Sequence, residues 1–178
     1  MGEPQPHSPV LFLLAAFSRH EEALDWAESQ SVAAWGKVAL ASPAFPFADT
    51  DYYDATMGIN LRKRFWAFER LFDPAQIVER KRTTNEWEAQ YAASAGHAEP
   101  RPLNLDPGYI TLGKLVLAST KDHYQRLYLD RGIYAEVTLH YRKRHWQAAE
   151  WTFADYRRPD FQDFFTACRD YLKSKTRD

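Results

Sequence analysis

The run Val10-Leu11-Phe12-Leu13-Leu14-Ala15-Ala16-Phe17 is apolar at every position and bounded by polar residues. A strand sends alternate side chains to opposite faces, so a strand without a polar face must be covered on both, as a central strand is. The run is too short to span a bilayer. It also lacks the preceding basic residues and small-residue cleavage site of a secretory signal, so the expectation is a soluble protein retained in the cytoplasm, with no membrane partner. Cys168 is the single cysteine, which excludes an internal disulfide, and its apolar helical surroundings mark it as a core residue.

Around that strand the chain reads as one domain, residues 1–178, with the Pro-rich residues 1–8 frayed. Ser18 and Glu21 have capping-box spacing ahead of an amphipathic stretch through Leu24 and Ala27, and a second strand covers residues 37–41. Residues 42–60 form a long connection rich in Pro and aromatics, either an insertion pinned by Phe45, Phe47 and Tyr53 or a functional loop. Residues 61–71 alternate as a strand, placing Arg62, Arg64, Trp66 and Phe68 on one face, where two arginines suit a phosphate or carboxylate. Asp73-Pro74 starts a helix that runs to about residue 91, followed by a loop over 92–102.

Residues 104–122 read as the end of a strand, a turn at Pro107-Gly108 that holds Asp106 and Tyr109 in fixed relation, and a compact helix over 112–122. Asp130-Arg131-Gly132 joins two strands in a hairpin. On the second of these, Ile133, Ala135, Val137, Leu139 and Tyr141 share one face, and Tyr134, Glu136, Thr138 and His140 the other, beside Arg126 and Tyr128. A basic turn at residues 142–145, a strand within 146–153 and an amphipathic helix from Asp160 close the chain. The class is α+β: a mostly antiparallel mixed sheet with helices on one side. The order β-α-β-β-α-β is that of a ferredoxin-like core, with a C-terminal hairpin-helix extension.

Several chemistries lack their motifs. The chain has no phosphate-binding loop, dinucleotide fingerprint, hydrolase elbow or zincin helix. Its six histidines show no helical ligand spacing, and no metal-ligand set is assigned beyond a Mg²⁺ ion that Asp106 and Glu136 would hold with water. Acidic and basic residues nearly cancel, 24 against 23, so bulk charge gives no argument for a polyanionic partner.

Several motifs together carry a resemblance over nearly the whole chain. They are Phe45-Pro46-Phe47 with Thr50-Asp51-Tyr52-Tyr53, Met57-Gly58-x-Asn60-Leu61, Asn104-x-Asp106-Pro107-Gly108-Tyr109, Lys114-Leu115-Val116-Leu117-Ala118-Ser119-Thr120-Lys121-Asp122 and Gly132-Ile133-Tyr134-Ala135-Glu136-Val137-Thr138-Leu139. In these the chain resembles the bacterial domain-of-unknown-function family numbered 4416. The resemblance implies no mechanism. Some relatives carry the label GTP-binding protein, but Thr120-Lys121-Asp122 is one residue short of the guanine-reading Asn/Thr-Lys-x-Asp element and follows no phosphate loop.

Two functions compete on the residues alone. The first is a polar cleft for an anionic or nucleotide-like small molecule. There Asp106 and Glu136 would be acid/base or metal-binding carboxylates, Arg62, Arg64, Lys121 and Arg126 anion clamps, and Tyr52, Tyr109 and Tyr134 orienting donors beside Thr138. The second is an RNA-binding module built on the basic clusters at 62–64, 80–82 and 142–144 with Trp66, Trp87 and Trp146 for stacking. A structural or interaction role is a third.

Overall fold

In the computed structural model, which describes residues 2–176, the apolar run forms β1 (Leu11–Ser18), buried at all eight positions. Its even-numbered side chains enter one core and its odd-numbered ones another. Phe12, Leu14 and Ala16 pack with Trp66, Phe68 and Ile77, while Leu11, Leu13 and Ala15 pack with Phe65, Phe161 and Phe165. One sequence pattern thus builds two hydrophobic cores on the two faces of one strand.

The chain continues through α1 (Glu21–Trp35), β2 (Val38–Ala41), β3 (Phe45–Phe47), α2 (Asp54–Met57), β4 (Leu61–Phe68) and α3 (Ile77–Ser94). It then enters β5 (Asn104–Ile110), β6 (Lys114–Ser119), β7 (Leu127–Asp130), β8 (Ile133–Arg142), β9 (His145–Ala148) and α4 (Pro159–Lys175). Among the described residues nine strands form one antiparallel sheet, with the order β2-β4-β1-β5-β6-β8-β7; β3 pairs β4 and β9 pairs β8. The first four strands in that order, with α1 and α3 packed on one face, have the ferredoxin-like arrangement expected from the sequence. The remainder is the C-terminal extension. Its helix α4 covers the opposite face, so helices lie on both sides of the complete sheet rather than on one.

Local chemistry accounts for some of the element boundaries. Asp73 accepts a hydrogen bond from the Ala75 N–H and precedes Pro74, which starts the helical stretch as expected. The β7–β8 turn places Arg131 and Gly132 at φ 48° and 76°, the two left-handed residues of a tight hairpin. Ser18 does not cap α1. It is the last residue of β1, its hydroxyl donating to Pro102 O at 2.5 Å and accepting from the His20 N–H. The 42–60 connection is an insertion held by Phe47 and Tyr53, whose ring centroids lie 4.9 Å from that of Phe17.

The 104–122 region is the main departure from the sequence reading. Pro107 and Gly108 lie inside β5 rather than in a turn, and the apolar stretch that follows is β6 rather than a helix. The β1–β5 ladder runs through Pro107 without interruption for seven residue pairs. The β5–β6 ladder has three pairs only, Gly108 to Ile110 opposite Leu117 to Leu115. Proline has no N–H to give, and with the β1 side intact the missing bond falls on the β6 side. From Pro107 towards Asn104, β5 is therefore unpaired with β6, and the sheet is split there.

A bulge in β8 also changes the predicted faces. Its pairing with β6 shifts between Leu115, opposite Leu139, and Val116, opposite Val137, leaving Thr138 as the extra residue. Beyond it the alternation is inverted. Glu136 and Thr138 are buried, while Val137 is 39% exposed.

Candidate functional site

The split in the sheet opens a cavity of about 630 Å³ bounded by α3, the 42–60 insertion, the chain after β6 and the turn at Asp155–Arg157. Its walls carry five acidic and five basic side chains plus His123. Most of these charges are paired. Lys63 Nζ lies 2.6 Å from Asp155 Oδ2, Lys81 Nζ 3.3 Å from Asp106 Oδ1, and Arg126 Nε 2.7 Å from Glu136 Oε2.

Each pair is positioned by a different element. Lys63 projects from β4 among five aromatic rings, 4.6 to 5.9 Å from their centroids, and meets Asp155 where the chain turns towards α4. Lys81 reaches from α3 to the Leu105 carbonyl, at 2.8 Å, as well as to Asp106. The other Asp106 oxygen accepts from Asn104 Nδ2 at 2.8 Å, and Arg101 donates to Asn104 Oδ1 at 2.6 Å. Arg126 ties Glu136 on β8 to Ser119 Oγ and Lys121 O.

Burial sets the electrostatics. Glu88 accepts the Leu105 N–H at 2.7 Å, yet desolvation raises its pKa above the ordinary carboxyl value despite Lys81 and Arg101 nearby. Burial likewise pushes the Tyr53 and Tyr156 hydroxyls up, aided by the charges of Asp106 and Asp155 respectively. The Tyr156 hydroxyl is buried and has no hydrogen-bond partner among the described residues. At the exposed rim, Lys121 Nζ lies 2.9 Å from the Tyr52 hydroxyl and lowers its pKa by that hydrogen bond. No carboxylate among the described residues lies within ion-pair distance of Lys121.

Buried ion pairs seldom add net stability, because the cost of removing each charge from water offsets their attraction. Two such pairs on the cavity wall, Lys63–Asp155 and Arg126–Glu136, with the half-buried Lys81–Asp106 beside them, need a reason other than folding. The arrangement presents both charges and hydrogen-bonding groups to the cavity, and Glu88, its pKa raised by burial, is the carboxyl there able to hold a proton above the ordinary range.

Of the residues singled out from sequence, Asp106, Glu136, Tyr52, Lys121 and Arg126 line this one cavity. The others do not. Arg64 is paired with Glu21 and Asp25 of α1, and Arg62 donates to Ala44 O. Tyr109 lies on the opposite face in a separate hollow with Ile77, Tyr128 and Arg131. Tyr134 packs its ring on Tyr128, the centroids 5.4 Å apart. Thr138 stands behind the wall, 3.4 Å from Glu136 Oε1, with its carbonyl held by Thr152. Lys63, Lys81, Glu88, Arg101 and Asp155 were not anticipated. Lys63 and Lys81 sit in sequence between arginines, as members of the basic clusters at 62–64 and 80–82, and nothing local marks them as cavity residues.

The basic clusters form no stacking platform. Trp66 and Trp146 are buried, Trp87 packs against Trp35 in the α1/α3 core, and Lys63, Arg80 and Lys81 point inward. Among the described residues no helix is long and apolar enough to cross a membrane. Comparison with curated proteins and with solved structures returned no match in either case. The sequence model of the family described as a domain of unknown function, DUF4416, matches residues 8–171, and the chain belongs to that family.

Proposed function

We propose that this protein binds a small anionic, nucleotide-like molecule in the cleft between β5 and β6. One observation carries the reading: the sheet is split at Pro107, and three tightly held ion pairs converge on the cavity that results. Its volume is in the range of small-molecule sites, about 300–1,000 Å³. Lys121 and Arg101 at the opening supply cationic contacts for phosphate or carboxylate groups. Tyr52, His123 and Phe153 offer planar faces to a ring, and Asp106 and Glu88 offer acceptors to its N–H groups. If the ligand is also transformed, Asp106 and Glu136 are the acid/base candidates. Both already hold cations in Lys81 and Arg126, so a Mg²⁺ ion would have to displace an ammonium or a guanidinium.

A thermal-shift screen over nucleotides, phosphorylated metabolites and divalent ions tests this. A ligand that binds only the folded chain raises its apparent Tm as concentration rises. The expected outcome is a shift with phosphorylated or carboxylated compounds that Lys121→Ala and Arg101→Ala reduce. A screen in which only neutral or cationic compounds shift Tm overturns the proposal. Titration with single-stranded RNA at several salt concentrations supplies the contrast, since backbone binding weakens steeply with salt.

A further inference from the structure

We propose a second, independent site: His20, Glu22 and His97 bind a divalent first-row transition metal ion of the zinc type. His20 stands at the N-cap of α1, Glu22 in its first turn, and His97 in the loop between α3 and β5. The two histidines are far apart in sequence, so no local spacing announces them. They meet because β1 and β5 are antiparallel neighbours, Phe17 opposite Asn104, which brings the chain leaving β1 beside the chain entering β5.

The three side chains already stand close together. One ligand atom from each residue lies within 4.8 Å of the other two. Glu22 Oε1 is 3.8 Å from His20 Nδ1 and 4.0 Å from His97 Nε2. Donors in a tetrahedral zinc shell stand about 3.3 Å apart, so Glu22 must close on the two imidazoles by roughly half an ångström and the imidazole nitrogens must draw together as well. Glu22 can supply its share of that movement, its side chain being 66% exposed. The imidazole rings are stacked, with centroids 3.7 Å apart and planes inclined by 19°, so one ring must turn before both in-plane lone pairs can meet at one ion.

The surroundings fix which nitrogen of His20 is free. Its Nε2 lies 3.0 Å from Glu99 Oε2, and the other Glu99 oxygen accepts Arg19 at 2.8 Å. A carboxylate paired with arginine can only accept, so Nε2 carries the proton and the Nδ1 lone pair is turned to the side of Glu22. A carboxylate behind a histidine in this way is the usual support of a metal-bound imidazole. On the other ligand, the Tyr91 hydroxyl lies 3.1 Å from His97 Nε2 and must give way to the ion. Two imidazoles and one carboxylate, without thiolates or an oxygen cage, select zinc, cobalt or nickel over magnesium and calcium. A water molecule completes the shell on the exposed side. The ion would clasp the start of α1 to the loop that carries Arg101 towards the cavity.

Calorimetric titration of the chelator-treated full chain with ZnCl₂, MgCl₂ and CaCl₂ tests the site. One Zn²⁺ per chain is expected, with no heat from the other two. Glu99→Gln should weaken zinc binding about 10-fold, the usual effect of losing a supporting carboxylate. His20→Ala and His97→Ala should weaken it further, whereas His145→Ala, at the start of β9, should not. Should an alanine variant fail to fold, nitrogen NMR of the unaltered chain decides: zinc must move the imidazole signals of His20 and His97 and leave those of His140 and His145. Absence of zinc binding, equal loss in His145→Ala, or shifts confined to other histidines overturns the proposal.

Discussion

Lys63 shows how a single position can be misjudged from its neighbours. Alternation correctly groups Arg62, Arg64, Trp66 and Phe68 on one face of β4, but that face meets α1, and Arg64 is spent on Glu21 and Asp25. The cavity lies on the other face, where Lys63 and Asp155 have side chains only 3% and 5% exposed. A lysine among aromatics gives no sequence sign of its partner, because Asp155 is 92 residues away. Lys63→Met should destabilise the chain by about 3–5 kcal/mol in urea denaturation, since it strands a buried carboxylate. Lys63→Met with Asp155→Leu should recover much of that loss. Glu88 supports a pH prediction. With its folded pKa raised by burial above the ordinary 4.5, the proton favours the folded state. That contribution is complete below the unfolded pKa and is lost as pH rises through the folded one. Glu88→Gln keeps an acceptor for the Leu105 N–H, so its Tm should match that of the unaltered chain in acid and exceed it at neutral pH.

At the level of elements, β1, β4, the β7–β8 hairpin and α4 were legible because each has a long, clean period or a strong turn. The stretch that became β6 was not. Residues 114–119 are nearly all apolar, and so short a run fits a buried helix turn as well as a strand. What settles it is tertiary: Leu115 and Leu117 enter one core and Ala118 the other. Pro107 and Gly108 suggested a turn because they usually make one, whereas here both lie inside β5, Gly108 as the last rung of the β5–β6 ladder and Pro107 where that ladder stops. Gly108 is required by space, since a Cβ built there would stand 2.3 Å from Val116 O. Gly108→Ala must push β6 away or strain β5, and should cost about 1–3 kcal/mol of stability, measurable by chemical denaturation. The β8 bulge was equally hidden. One surplus residue inverts which side chains are buried, and nothing in the alternating text marks Thr138 as surplus.

For the molecule as a whole, the order of elements was enough to suggest the ferredoxin-like half, because that order admits few arrangements once connections are short and uncrossed. The cavity was not legible, as it depends on where two strands part company. Two of its five carboxylates, Asp106 and Glu136, and two of its five cations, Lys121 and Arg126, were singled out, and the rest were not. The two cores share β1 through opposite faces, which predicts one cooperative melt. Trp66 reports the α1/α3 core and Trp146 the α4 core. Trp146→Phe should therefore leave a fluorescence transition that coincides with the far-ultraviolet circular dichroism of the same variant; separated midpoints would show that the halves unfold apart. Just three rungs join β5 to β6, against seven between β1 and β5. The seam between the ferredoxin-like half and its appendage is therefore also where the cavity opens, and a guest lodged there would act as mortar, fastening together two pieces that the backbone alone holds only by a short stitch.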